Sequence, residues 1–190
     1  MTVALGRGVA IVALGVALTA CATANTYSLV EPRQHPIDTF YSVEPNVAWT
    51  ATSTGKVETW TIDGYSLESL RFFKGIADGE PMVTGGPNEE QRPRFRATMT
   101  LTETAEFVAT SLFGSRITPR DVRPASFGGA PGFRFDVAYA TREGVERKAL
   151  VAGAVVGERL HVIVYDGTSL HHFGKYRPQA ERVIESVRFK

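Results

Sequence analysis

The stretch from Gly132 to Gly167, GFRFDVAYATREGVERKALVAGAVVGERLHVIVYDG, narrows the possible folds more than any other part of the chain. Phe133, Phe135, Val137 and Tyr139 alternate with Arg134, Asp136 and Ala138, the period-2 pattern of a strand with one dry face. A second strand, Glu146 to Val156, begins as an alternation and ends in an unbroken apolar run from Leu150, as a strand covered on both faces does. Gly157-Glu158 then leads into Leu160 to Tyr165, and a two-residue connection with glycine first suits a type I′ or II′ hairpin. Three consecutive antiparallel strands are the expectation.

The flanking sequence adds more strands and two helices. Phe40 to Val43 and Val47 to Thr52 are β-rich around Pro45, and Val57 to Ile62 alternates up to the turn signal Asp63-Gly64. Ser66 to Phe73 reads as one or two helical turns with Leu67, Leu70 and Phe73 inward, ended by Gly75, Gly79 and Pro81. Thr84 to Pro93 has the composition of a solvated loop. Thr100-Leu101-Thr102-Glu103 fits a capping box, followed by a stripe of Leu101, Ala105, Val108 and Leu112 and closed by Gly114. Ala180, Val183, Ile184 and Val187 mark a second amphipathic helix, with Pro178 expected in its first turn. Grouped strands with two inserted helices predict an α+β fold, an antiparallel sheet with helices packed on its faces.

The N-terminus predicts an address. Arg7 is followed by the apolar run Val9 to Leu18, the layout of a secretory signal and too short to span a bilayer, which takes about 20 residues. Leu18-Thr19-Ala20-Cys21 resembles the lipobox of bacterial lipoproteins, and Cys21 is the single cysteine of the chain. The resemblance implies diacylation at Cys21 and cleavage just before it, anchoring the protein in membrane lipid. Ala22 stands where an Asp would imply retention in the inner membrane, so the expected site is the periplasmic face of the outer membrane of a Gram-negative bacterium. The predicted organisation is a signal over 1–20, an acylated N-terminus and flexible tether over 21–36, and one domain over 37–190. Within the tether, Tyr27 to Val30 is a candidate edge strand.

Charge and motifs limit the chemistry. Without Arg7 the chain has 20 basic against 20 acidic side chains, which argues against nucleic acid as a partner. One cysteine excludes an internal disulfide framework and a Cys-rich metal site. The best enzyme candidate is the cluster His161, Asp166, Ser169, His171 and His172. It lacks Gly-x-Ser-x-Gly and His-Glu-x-x-His, and adjacent histidines on a helix diverge by about 100°. Asp166 or Thr168 is better placed as a helix cap. No catalytic residue, metal ligand or cofactor is assigned. Arg92, Arg94 and Arg96 alternate around Phe95 and are candidate ligand-binding residues for phosphate or lipid headgroups, with a charged edge strand as their plainer reading; Asp166 and His171 are further candidate ligand-binding residues. Phe127 to Gly132 is glycine-rich without a P-loop ending and reads as a tight connection. Trp49, Trp60, Phe133, Phe135 and Tyr139 read as core.

The run GFRFD…RKALVAGAVVGERLHVIVYDGTSLHHF, with PRFRATMT ahead of it and RPQAERVIESVRF behind, resembles small proteobacterial lipoproteins of unknown function with a PsbP-like shape. The resemblance covers about Phe40 to Phe189 and implies an α/β/α sandwich with no catalytic residue. Two functions from different classes follow. One is a non-enzymatic binding or assembly module with an envelope protein partner. The other is a carrier or sensor holding a small apolar or anionic ligand between sheet and helix, and a hydrolase comes third.

Overall fold

A computed structural model describes residues 26–85 and 89–190. The predicted signal and Cys21 lie outside them. The predicted meander is present as β8 (Ala130–Ala140), β9 (Glu146–Val156) and β10 (Arg159–Thr168), all antiparallel. Its β9–β10 hairpin has positive φ at both Gly157 (55°) and Glu158 (61°), the signature of type I′. Residues Ala149 to Ala152 and Leu160 to Tyr165 are almost fully buried, because both faces of these strands are covered.

The meander is the middle of an eight-stranded sheet. Beside β10 lies β6 (Glu68–Ile76), then β5 (Val57–Thr61), β4 (Trp49–Thr54) and finally β1 (Ser28–Val30). At the other end β8 pairs with the edge strand β7 (Arg120–Phe127). A second sheet of three short strands contains β2 (His35–Ile37), β3 (Tyr41–Val43) and, at the C-terminus, β11 (Arg188–Phe189).

Strand parity builds two cores. Trp60, Leu70, Phe72, Ile163 and Tyr165 face the small sheet and α2 (His172–Glu185), which supplies Ala180, Val183 and Ile184. Phe73, Phe135, Val151, Val162 and Val164 face α1 (Leu101–Phe113), which supplies Ala105, Phe107 and Val108. The result is the predicted α+β fold, with helices packed on opposite faces of an antiparallel sheet. The capping box of α1 is present: the Thr100 hydroxyl accepts from the Glu103 amide, and the Glu103 carboxylate accepts from the Thr100 amide.

Two local expectations are corrected, and two further segments contain strands. Ser66 to Phe73 is not helical; most of it belongs to β6, where pairing with β5 and β10 and burial on both faces override a helix-like spacing. Pro178 lies well inside α2, on its exposed side, because the helix already begins at His172. Arg120 to Phe127, given no element from the sequence, is a strand whose charges and Pro124 suit a solvent-facing edge. Residues assigned to the tether contribute β1 and the start of β2, and β1 is the edge strand expected at Tyr27 to Val30.

Candidate functional site

The residues of the histidine-rich cluster do not meet. His161 and Asp166 stand on β10 with opposite parity and point to opposite faces of the sheet. His161 is 2% exposed, with ring centroids 4.9 Å from Phe40, 5.7 Å from Tyr41 and 5.3 Å from Phe189. Burial, with a smaller contribution from the charge of Arg159, pushes its pKa down to about 4. Its Nδ1 has no hydrogen-bond partner. This imidazole is a neutral core residue.

On the other face, Asp166 accepts from Arg147 Nε at 3.0 Å, from Arg147 Nη2, and from the Tyr139 hydroxyl. Arg147 Nη1 donates to the Ser66 carbonyl at 2.7 Å. Burial works against the charge of Arg147, but Asp166 outweighs it and the guanidinium is held above its ordinary pKa. Burial and then Asp166 push the Tyr139 hydroxyl up to about 12. Asp166 is therefore committed to this network and does not cap α2. The hydroxyl of Thr168 is the group at the helix start, accepting from the His172 amide at 3.4 Å. His171 is exposed, and the Ser169 amide is bonded to the Glu146 carbonyl.

Arg92, Arg94 and Arg96 alternate around the buried Phe95, but they form no strand beyond one bridge between Pro81 and Arg94. Their guanidinium groups turn back onto a strap running from Asp78 to Gly85. Arg92 donates to the carbonyls of Val83 (2.6 Å) and Gly85, Arg94 to that of Gly79 (3.0 Å), and Arg96 pairs with Asp78 (3.3 Å). All three are tied to the strap.

Behind the strap is a groove of about 400 Å³ between the sheet and the end of α1. Its walls are mainly Val57, Phe73, Ile76, Met82, Val83 and Leu112. Three cations line it. Lys56 is paired with Glu80 at 2.6 Å, and Lys74 lies 3.7 Å from Glu58, outside the lining. Burial pushes the Glu58 carboxyl up, but hydrogen bonds from His35 and Trp60 outweigh it and hold the group below its ordinary pKa. Arg71 is different. Its guanidinium carbon lies 5.8 Å from the centre of the Phe73 ring, and its buried Nε has no hydrogen-bond partner among the described residues. The oxygens of Asp166, on the same face, are already engaged by Arg147 and Tyr139.

Arg71 enters the groove because β6 is a strand. Leu70 and Phe72 fill one core, so Arg71 and Phe73 must face the other side. The helical reading of this stretch hid that placement, although Leu70-Arg71-Phe72-Phe73 carries the parity signal. Among the described residues the site offers apolar contact and one uncommitted cationic donor, which is the chemistry of a binding site.

No protein-family model matches the chain, and no curated protein matches it in sequence. In shape it is similar to the solution structure of cyanobacterial PsbP (CyanoP) from Synechocystis sp. PCC 6803. The TM-score is 0.49 with 13% identity, over 91% of this chain and 99% of that one. It is also similar to the crystal structure of LpqN, a protein involved in cell envelope biogenesis of Mycobacterium tuberculosis. There the TM-score is 0.35 with 10% identity, over 88% and 86% of the two chains. Neither supplies a residue role or an activity for this chain.

Proposed function

We propose that this chain is a lipid-anchored domain of the bacterial cell envelope that acts by binding rather than by catalysis. Acylated Cys21 holds it on the periplasmic face of the outer membrane. The lipobox-like Leu18 to Cys21 supports that address, since stable anchoring takes two or more lipid chains and a lipoprotein cysteine carries them. No helix among the described residues is long and apolar enough to cross a membrane. Within this reading the domain is a carrier or sensor of a small ligand held between sheet and helix. The observation that carries it is the apolar groove beneath the strap, with Arg71 inside it and unpaired among the described residues.

A second reading, an assembly module for an envelope protein, is favoured by apolar side chains at one end of the sheet. Leu170 is 97% exposed and Val145 45%. Backbone bonds from Thr168 to Leu67 and from Ser169 to Glu146 bring those loops together with the partly exposed Leu67.

Native mass spectrometry of the full chain extracted from membranes separates the two. A small molecule retained by the wild type and lost from Leu112→Trp, which fills the groove, supports the carrier. No retained molecule, together with a single protein captured by a photo-crosslinker at Leu170, supports the assembly module instead.

A further inference from the structure

Resting on the carrier reading, we infer that the groove takes a single-chain amphiphile with a monoanionic head, of the long-chain carboxylate class. Arg71 receives the head, and Phe73, Ile76, Met82, Val83 and Leu112 receive the chain. The charge requirement comes from what the lining leaves unmatched. Lys56 and Lys74 each have a carboxylate beside them, so among the described residues the lining presents one uncompensated positive charge, at Arg71.

A guanidinium with a buried N–H and no acceptor is in an unfavourable state. Water or a neutral ligand can relieve the missing hydrogen bond but leaves the charge unmatched. A carboxylate relieves both, because its two oxygens fit the planar donor fork of arginine. A phosphate dianion would bring a second negative charge with no cation left to meet it.

The apolar part of the ligand follows from the remaining walls. Phe73 and Ile76 are core residues of the sheet, Met82 is 5% exposed, and Leu112 closes the groove from α1. Such a surface is matched by methylene groups and by nothing that needs hydrogen bonds. The volume of about 400 Å³ lies near the lower end of the roughly 300–1,000 Å³ range of small-molecule sites, which suits one chain rather than the two of a membrane lipid.

The test uses the acylated full chain in phosphatidylcholine nanodiscs and three probes of equal length, each below its micelle concentration: dodecanoate, dodecanol and dodecyltrimethylammonium. The readout is the saturable rise in Tm of the domain. Dodecanoate should bind most tightly and dodecyltrimethylammonium should not bind. Arg71→Gln should weaken dodecanoate by roughly ten- to a hundredfold and dodecanol by much less, and Arg71→Lys should restore part of the loss. Leu112→Trp should block both uncharged and anionic probes.

Equal affinity of the wild type for dodecanoate and dodecanol, or tight binding of the cation, would overturn the anionic ligand while leaving the groove a binding site. No saturable binding of any probe, or a Leu112→Trp variant that binds as the wild type does, would overturn the carrier reading itself. The wild-type ranking decides the ligand class even where a variant fails to fold.

Discussion

His161 is neutral in the folded chain, and that makes it a pH-dependent load on stability. In the unfolded chain an imidazole takes up a proton as pH falls through about 6.5, whereas in the fold it resists until about 4. Between those values the unfolded state binds more protons, so stability is full above pH 6.5 and is lost as pH falls toward 4. The loss due to this residue is about 3 kcal/mol. Replacing His161 with Leu should flatten this part of the profile, read as the difference between wild-type and variant urea midpoints at pH 4.5 and pH 7. Parallel profiles would show that His161 is not buried as described. Asp166 poses the opposite case, a buried charge with its partner in place. Asp166→Ala leaves the buried Arg147 uncompensated and should cost about 3–5 kcal/mol in chemical denaturation. Exchanging both, Arg147→Met with Asp166→Leu, should recover most of that loss. Arg71 shares their face but lacks such a partner, which is why it reads as a binding residue and they do not.

At the scale of elements, β6 decides both the fold and the groove. Opposite His161, β6 carries one extra residue at Lys74-Gly75, a bulge in its pairing with β10. Gly75 has φ 64°, and a Cβ there would stand 2.6 Å from the Phe40 ring. Gly75→Ala should therefore cost about 1–3 kcal/mol in thermal or urea unfolding; a cost below 0.5 kcal/mol would mean the bulge relaxes freely. The meander β8–β10 and the start of α1 were legible in the sequence because their signals are local: strict alternation, a two-residue turn and a capping box. In β6 the local signal misleads. Leu67, Leu70 and Phe73 have helical spacing, while the constraints that make a strand are partners on β5 and β10, far away in the chain. The alternation of Arg92, Arg94 and Arg96 around Phe95 was visible too. The acceptors of Arg92 and Arg94 are carbonyls of the strap, which carry no side-chain signature, and only Arg96 finds a carboxylate, that of Asp78.

For the whole molecule, anchoring and binding are separable. A lipid anchor confines the domain to a thin layer and raises its effective concentration toward membrane-borne ligands. Cys21→Ala should abolish incorporation of labelled fatty acid while leaving the Tm of the domain within a few degrees of wild type; label still entering the variant would refute acylation at this residue. Binding in the groove can be watched directly through Met82 and Met99. Met82 lines the groove, whereas Met99, just before α1, does not. With methyl-labelled methionine in the full chain, titration of dodecanoate should move the Met82 resonance to saturation and leave that of Met99 in place, and Leu112→Trp should abolish the change. A Met82 resonance that stays fixed while the probe binds, or that moves together with Met99, would contradict a ligand site between β6 and α1.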